Sequence, residues 1–281
     1  MTRNWHKAIK NRTSVRRFSG SVDQKTYDEL NKFAATLGND EARLVLRAKD
    51  GVLKSIFLAY GKVTGTICFA AVVTKTNSKY MGGYIGEAFV LECASRGIAT
   101  CWLGASYKKS KVSKFVSIKD DETIACIIAF GVYDGKIKHT NKKSIEQLTG
   151  LSASEFSALP AWQQEAVNCA RLAPSALNKQ PWELAIKAES IELINNSDNW
   201  GFGEIDCGIA MLHLELGANY RDVYGEWKFA NTATEFVPFE IEDSSEYESD
   251  YYDEEEEFSE EAMVESEEAY NFSIGHSENN V

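Results

Sequence analysis

The chain has 281 residues, 44% of them hydrophobic, enough to bury a substantial core as one large domain or two smaller ones. No Lys or Arg follows Lys228, so 229–281 carries 18 acidic residues and no basic one. The remaining 24 acidic residues face 30 basic ones, and the net −12 belongs to a tail on a body of +6. Apolar runs such as Ile124-Ala125-Cys126-Ile127-Ile128-Ala129-Phe130 are far shorter than the roughly 20 residues of a membrane span, and no apolar stretch follows the basic N-terminus as a secretory signal would.

In chain order, a basic stretch over 7–18 is followed by a Ser19-Gly20-Ser21 turn. Asp23 then caps a helix expected over 26–37. A second helix is expected over 52–60, stopped by Gly61. Residues 67–73 form an apolar, partly β-branched run that reads as a buried strand. Helical spacing returns over 84–94 and ends at Arg96-Gly97, where Gly can cap. Residues 100–104 make a short strand or turn, and 123–132 a second long buried strand. A basic loop then runs through Lys142-Lys143.

In the second half, Pro160 suits the first turn of a helix over 161–172, which Pro174 ends. Residues 182–188 and 190–195 read as a hairpin, and 205–216 as a helix stopped by Gly217. No repeat is visible by eye, but helix and strand alternate in both halves. That order fits an α+β sandwich with a mixed sheet and helices on its faces. The organisation expected is a first half over 1–150, a shorter second half over 151–239 and an acidic tail over 240–281. Like-charge repulsion and few apolar residues make the tail disordered by default, either as a solvating segment or as one that meets a basic partner.

Six cysteines, Cys68, Cys93, Cys101, Cys126, Cys169 and Cys207, sit among apolar neighbours with no CxxC spacing. Reduced core thiols in a cytoplasmic protein are expected. Four histidines, no HExxH and no Cys/His cluster leave no metal site in view. Dinucleotide and P-loop glycine motifs are both missing, as are a GxSxG elbow and any recognisable nucleophile–base pair, so no catalytic residue is assigned.

Four segments could carry chemistry. Arg12-Thr13-Ser14-Val15-Arg16-Arg17 would present Arg12 and Arg16 on one face if helical, and guanidiniums match phosphate oxygens bidentately. In Ala173-Pro174-Ser175-Ala176-Leu177-Asn178-Lys179-Gln180-Pro181, two prolines hold a defined loop. Its Ser175, Asn178 and Gln180 could border a heterocycle or ribityl chain, or could simply satisfy the loop's own backbone. Gly61 to Gly65 precedes a buried strand and permits close backbone approach, as would a plain turn. Gly82-Gly83-Tyr84-Ile85-Gly86-Glu87 opens a helix whose N–H groups could meet a polar edge.

Together these segments resemble the nitroreductase family, and more closely its fused, single-chain branch, over roughly 5–227. Arg12 through Phe18 resembles the family's arginine–serine–arginine element. Tyr84 through Gly104 resembles its central helix and flavin-side turn. Ala173 through Trp182 resembles its flavin-edge loop, and Asp206 through Gly217 a second copy of the central helix. The resemblance implies a nitroreductase-like α+β fold of two degenerate copies, and an FMN-dependent oxidoreductase that uses NAD(P)H to reduce nitroaromatic or quinone-like acceptors. It implies FMN phosphate on Arg12, Ser14 and Arg16, with Lys142 or Lys143 completing the cage. Pro174, Ser175, Asn178 and Gln180 would lie at the ring or ribityl chain, with Gly65 and a backbone N–H near Gly104 at the flavin. One arginine element and one edge loop leave parts for one FMN per fused chain, which need not pair again. Neither nucleic acid nor membrane is an expected partner. The alternative is a flavin-binding regulatory or interaction protein with little turnover.

Overall fold

The computed structural model describes residues 2–53, 62–137, 140–229 and 233–239. The acidic tail lies outside the described residues, as does most of the helix expected over 52–60 and His139. Val52 and Leu53 themselves sit in a turn, buried.

The first half opens with α1 (Thr2–Asn11) and α2 (Gln24–Leu37). Asp23 caps α2 as expected, accepting from the Thr26 backbone N–H at 2.8 Å. Then come β1 (Ala42–Ala48), β2 (Cys68–Lys75), α3 (Lys79–Ser95), β3 (Ala99–Leu103), the short α4 (Lys109–Val112) and β4 (Glu122–Gly131). The second half has short α5 (Ile145–Thr149) and α6 (Ala153–Ser157), then α7 (Ala161–Leu172), β5 (Trp182–Ile186), β6 (Ile191–Asn195), α8 (Gly203–Asn219), β7 (Gly225–Phe229) and β8 (Ala233–Pro238). Seven elements, α1, β1, α4, α5, α6, β7 and β8, went unseen in the sequence. α1 and β7 are short and rich in polar residues, and β1 alternates with arginines.

The two sheets repeat one plan. Their orders are β1-β2-β4-β3 and β5-β6-β8-β7, every pair antiparallel, with a 17-residue helix between the second and third strands of each. The mixing of strand directions expected for the sheet is confined to isolated parallel bridges, Ser14 with Thr100 and Arg17 with Thr64. This is a duplicated α+β fold, and residues up to Phe239 form one compact unit.

The paired helices α3 and α8 are buried on nearly every face, as helices enclosed by other elements must be. Glycines set their crossing. A Cβ on Gly83 would lie 2.1 Å from the Ile205 carbonyl, and one on Gly208 1.9 Å from the Tyr80 carbonyl. Gly217 does not stop α8 as expected; the helix runs on to Asn219. A Cβ there would lie 2.6 Å from Ala166 Cα, so this glycine lets α8 lie against α7.

Candidate functional site

α1 ends at Asn11, so the arginines that follow are not on a helix. The segment is extended and laid along β3: the Val15 N–H donates to Thr100 O at 2.9 Å, and the Phe18 N–H to Thr64 O at 2.9 Å. Alternation along an extended chain sends every second side chain to one face. Val15 therefore points into the core, while Arg12, Ser14 and Arg16 all face one cavity of about 460 Å³. The three residues share a face as the sequence suggested, but through extended backbone and not a helix.

The end of β3, with Trp102 and Gly104, makes a second wall. A Cβ on Gly104 would meet the Phe202 ring at 2.2 Å, which fixes glycine there. Lys142, Pro174, Ser175 and Asn178 come from the second half, as do Trp200, Phe202 and Asp206. Of the expected residues, then, Arg12, Ser14, Arg16, Gly104, Lys142, Pro174, Ser175 and Asn178 meet around one cavity. Gly65, Lys143 and Gln180 do not line it.

Gly65 has φ +87° and packs against the Phe18 backbone, where a Cβ would be 1.8 Å from the carbonyl oxygen; it borders a separate cleft with Lys49 and Ile67. Gln180 is fully buried beneath the edge loop. Its amide donates to Arg171 O at 2.9 Å, its Oε1 accepts from the Lys143 N–H at 2.7 Å, and its carbonyl accepts from Lys143 Nζ at 2.8 Å. Gln180 and Lys143 therefore brace the loop from behind. Lys142 Nζ donates to Ala173 O and Asn178 Oδ1 at 2.8 and 2.9 Å, tying the basic segment to the loop. Burial, then the charge of Arg12, pulls Lys142 down to about 8.

Among the described residues, Arg12 Nε and Arg16 Nη1 are buried donors with no hydrogen-bond partner, and burial lowers the pKa of the Arg12 guanidinium. Behind Arg12 sits Glu87, fully buried on α3, with Arg12 Nε 3.9 Å away. Glu87 accepts from Trp102 Nε1 at 2.8 Å and lies 3.0 Å from Nε2 of His213, which is fully buried on α8 and donates from Nδ1 to Cys169 O. This network joins the cavity wall to both central helices. Glu87→Leu is expected to cost about 3–5 kcal/mol in urea unfolding, since it strands the Trp102 donor, leaves His213 Nε2 without its partner and removes the carboxylate nearest the buried Arg12 guanidinium.

Sequence reasoning missed Asp206, Asn199 and Trp200. Asp206 opens α8, 2% exposed, and Trp200 stands at the cavity rim, 76% exposed. Only Asp206 was visible, inside the second central-helix resemblance, and nothing in its spacing showed that it faces a ligand space. His6 on α1 also converges with Glu165 and Cys169, one turn apart on α7, with ligand atoms within 4.8 Å of one another. His6 Nε2 already pairs with Glu165 at 2.7 Å and stacks on Tyr220. All six cysteines are buried and free, as expected of core thiols.

An α+β duplication that builds one cavity from an N-terminal arginine segment and second-half loops defines a class of fused, two-copy α+β folds. The chain belongs to the nitroreductase family: the family model described as "Putative TM nitroreductase" matches residues 4–218. A crystal structure of a nitroreductase, titled "putative", from Thermotoga maritima MSB8 covers 83% of this chain and 93% of its own, at 20% identity and TM-score 0.62. Shorter structures align with about half of the chain. A nitroreductase with bound FMN from Desulfitobacterium hafniense DCB-2 covers 49% of this chain and 94% of its own, at 15% identity and TM-score 0.40. A "Putative NADH dehydrogenase/NAD(P)H nitroreductase" from Parabacteroides distasonis ATCC 8503 covers 51% of this chain and 95% of its own, at 16% identity and TM-score 0.42. No curated protein sequence matches the chain significantly. Among the described residues no helix is long and apolar enough to cross a membrane.

Proposed function

We propose that the chain is an FMN-dependent oxidoreductase that takes reducing equivalents from NAD(P)H and passes them to nitroaromatic or quinone-like acceptors. One observation carries this reading: two buried, unpartnered guanidinium donors, Arg12 Nε and Arg16 Nη1, at one end of a mainly apolar cavity large enough for a cofactor. Such donors fit a phosphate monoester, and the apolar walls fit a flat ring system.

In this reading Arg12, Ser14 and Arg16 hold the phosphate, with Lys142 adding positive charge and fixing the edge loop. Pro174, Ser175 and Asn178 border the ribityl chain or ring. Gly104 allows the β3 turn to approach the ring closely, where its backbone can favour developing negative charge. When bound, FMN supplies the hydride chemistry. The protein orients it, closes it off from water and leaves one face open at Leu177 and Trp200 for a planar partner.

One FMN per chain follows from what the duplication left behind. Matching Gly83 to Gly208, an offset of 125 residues in the sequence, sets Trp102 against Trp227, and Ile205 and Ile209 against Tyr80 and Tyr84. On that second side Tyr84 Oη and Trp227 Nε1 both donate to Glu215, and Tyr80 packs on Phe229, so aromatic rings fill the space. The sequence has no second arginine–serine–arginine run. The test is flavin stoichiometry from absorbance and released FMN. About one per chain, bleached by NAD(P)H and recovered on adding an acceptor, is expected. Two per chain would refute the single-site reading, and none after FMN is supplied would refute the enzyme.

A further inference from the structure

Two loops form the rim of the cavity, and both hold uncommon backbone. Leu177 and Asn178 have φ of 53° and 55° in the edge loop, and Asn199 and Trp200 have φ of 43° and 64° in the turn before α8. Side chains other than glycine rarely adopt this left-handed region and do so only where surrounding structure holds them. Each loop also exposes a large apolar side chain at the rim, Leu177 at 53% and Trp200 at 76%.

A single carboxyl ties the two loops to each other. Asp206 Oδ1 accepts from the Ala176 backbone N–H at 2.9 Å, and Oδ2 accepts from Asn199 Nδ2 at 2.6 Å. The Asn199 amide also donates to Ala176 O at 3.2 Å, closing a triangle between the loops. Asp206 itself is fixed at the start of α8, a rigid element. We propose that Asp206 is the positioning residue of this cavity, a latch whose ionised form pins the Leu177 and Trp200 loops and so sets how a planar ligand enters. Its role toward the flavin and acceptor rests on the reading above; the latch itself does not.

The chemistry of the bonds makes the latch protonation-dependent. A carboxylate accepts from both donors at once. Protonation turns one oxygen into an O–H group, which then faces the N–H of Asn199 or Ala176, hydrogen against hydrogen, and one tie is lost. The charged groups facing Asp206 are few. Lys142, from the segment before α5, favours the ionised form, while the neighbouring thiols are Cys126 on β4 and Cys207 on α8. Burial outweighs the bonds from Ala176 and Asn199 and pushes Asp206 up to about 7. The latch should hold above neutral pH and loosen below it.

The decisive experiment uses the full chain freed of flavin and follows two resonances by NMR between pH 5.5 and 8.5: the Ala176 amide and the Asn199 side-chain amide. Both are expected to titrate together with a midpoint near 7. The protection factor of the Ala176 amide, which already corrects for intrinsic exchange, should drop about tenfold on the acid side. Asp206→Asn should abolish both titrations. Asn199→Ala should leave the Ala176 titration in place, which guards against an Asp206 variant that fails to fold. A flat wild-type profile, or a titration that survives Asp206→Asn, overturns the latch. A second arm measures the FMN association rate, expected to rise several-fold below pH 7 in wild type and to be unchanged with pH in Asp206→Asn. A rate independent of pH in a protein that titrates overturns the role in entry. Failure of the chain to bind FMN at all sinks the function proposed above and leaves the NMR result standing.

Discussion

Arg12→Ala is expected to weaken FMN binding by about two orders of magnitude while leaving the flavin-free fold close to wild type. Hydrogen bonds to charged groups contribute about 1.5–3 kcal/mol, and each 1.4 kcal/mol is tenfold in affinity. Loss of one bidentate contact therefore lands near a hundredfold. The flavin-free protein loses little because the buried guanidinium is already under-served there: Nε has no hydrogen-bond partner, Glu87 stands 3.9 Å away, and burial disfavours the charge. Arg12→Lys keeps the charge but loses the planar fork, so an intermediate loss is expected. The measurement is a fluorescence titration of FMN with thermal unfolding in parallel. A wild-type affinity in Arg12→Ala would remove the phosphate grip from the proposed function.

A large effect on stability is expected at Gly208. Gly208→Ala would bring a methyl to 1.9 Å from the Tyr80 carbonyl carbon's oxygen and 3.0 Å from the Tyr84 nitrogen, both on the backbone of α3. Backbone cannot rotate aside as a side chain can, so the two central helices must separate. Overpacking of this kind costs about 1–3 kcal/mol in ordinary cores, and here the clash opens the interface on which both halves close. A loss of at least about 3 kcal/mol in urea unfolding is expected, and Gly83→Ala should match it, because its methyl would meet the Ile205 carbonyl in the mirrored arrangement. Gly97→Ala is the control. Its φ is +74°, but nothing lies within 4 Å of the added Cβ, so only the backbone penalty, about 1 kcal/mol, should appear. Equal losses at Gly97 and Gly208 would mean that helix contact does not limit stability.

The glycines show why the duplication leaves no repeat visible by eye. Gly83 and Gly208 occupy matching places because close helix approach excludes any side chain, yet a glycine conveys no pattern by itself. Around them the halves keep strand order while exchanging residues freely: Trp102 leans on Glu87, whereas Trp227 shares Glu215 with Tyr84. Packing needs volume and satisfied donors, and many sequences supply both.

Local rules carried the reading where a residue acts on its own neighbourhood. Asp23 caps α2, Pro160 opens α7, and the apolar runs of β2 and β4 are buried strands because such runs have no other stable place. The edge loop was legible from its bracketing prolines. Arg12, Ser14 and Arg16 were legible as a phosphate-matching set, but their common face depends on bonds to Thr64 and Thr100, residues far along the chain. Lys143 and Gln180 looked like ligand-facing groups because polar side chains beside a site resemble those in it; only burial and hydrogen bonds separate the brace from the wall. Asp206 and Trp200 could not be found, since their roles arise where α8 meets two loops from other stretches. The sequence by itself determined the types of the long apolar elements, the chemistry available and the family likeness, because these follow from short-range spacing and composition. Tertiary structure alone decided which donors remain unpartnered, which loop residues face the cavity and which carboxyl joins the loops, because each depends on contacts between segments distant in the chain.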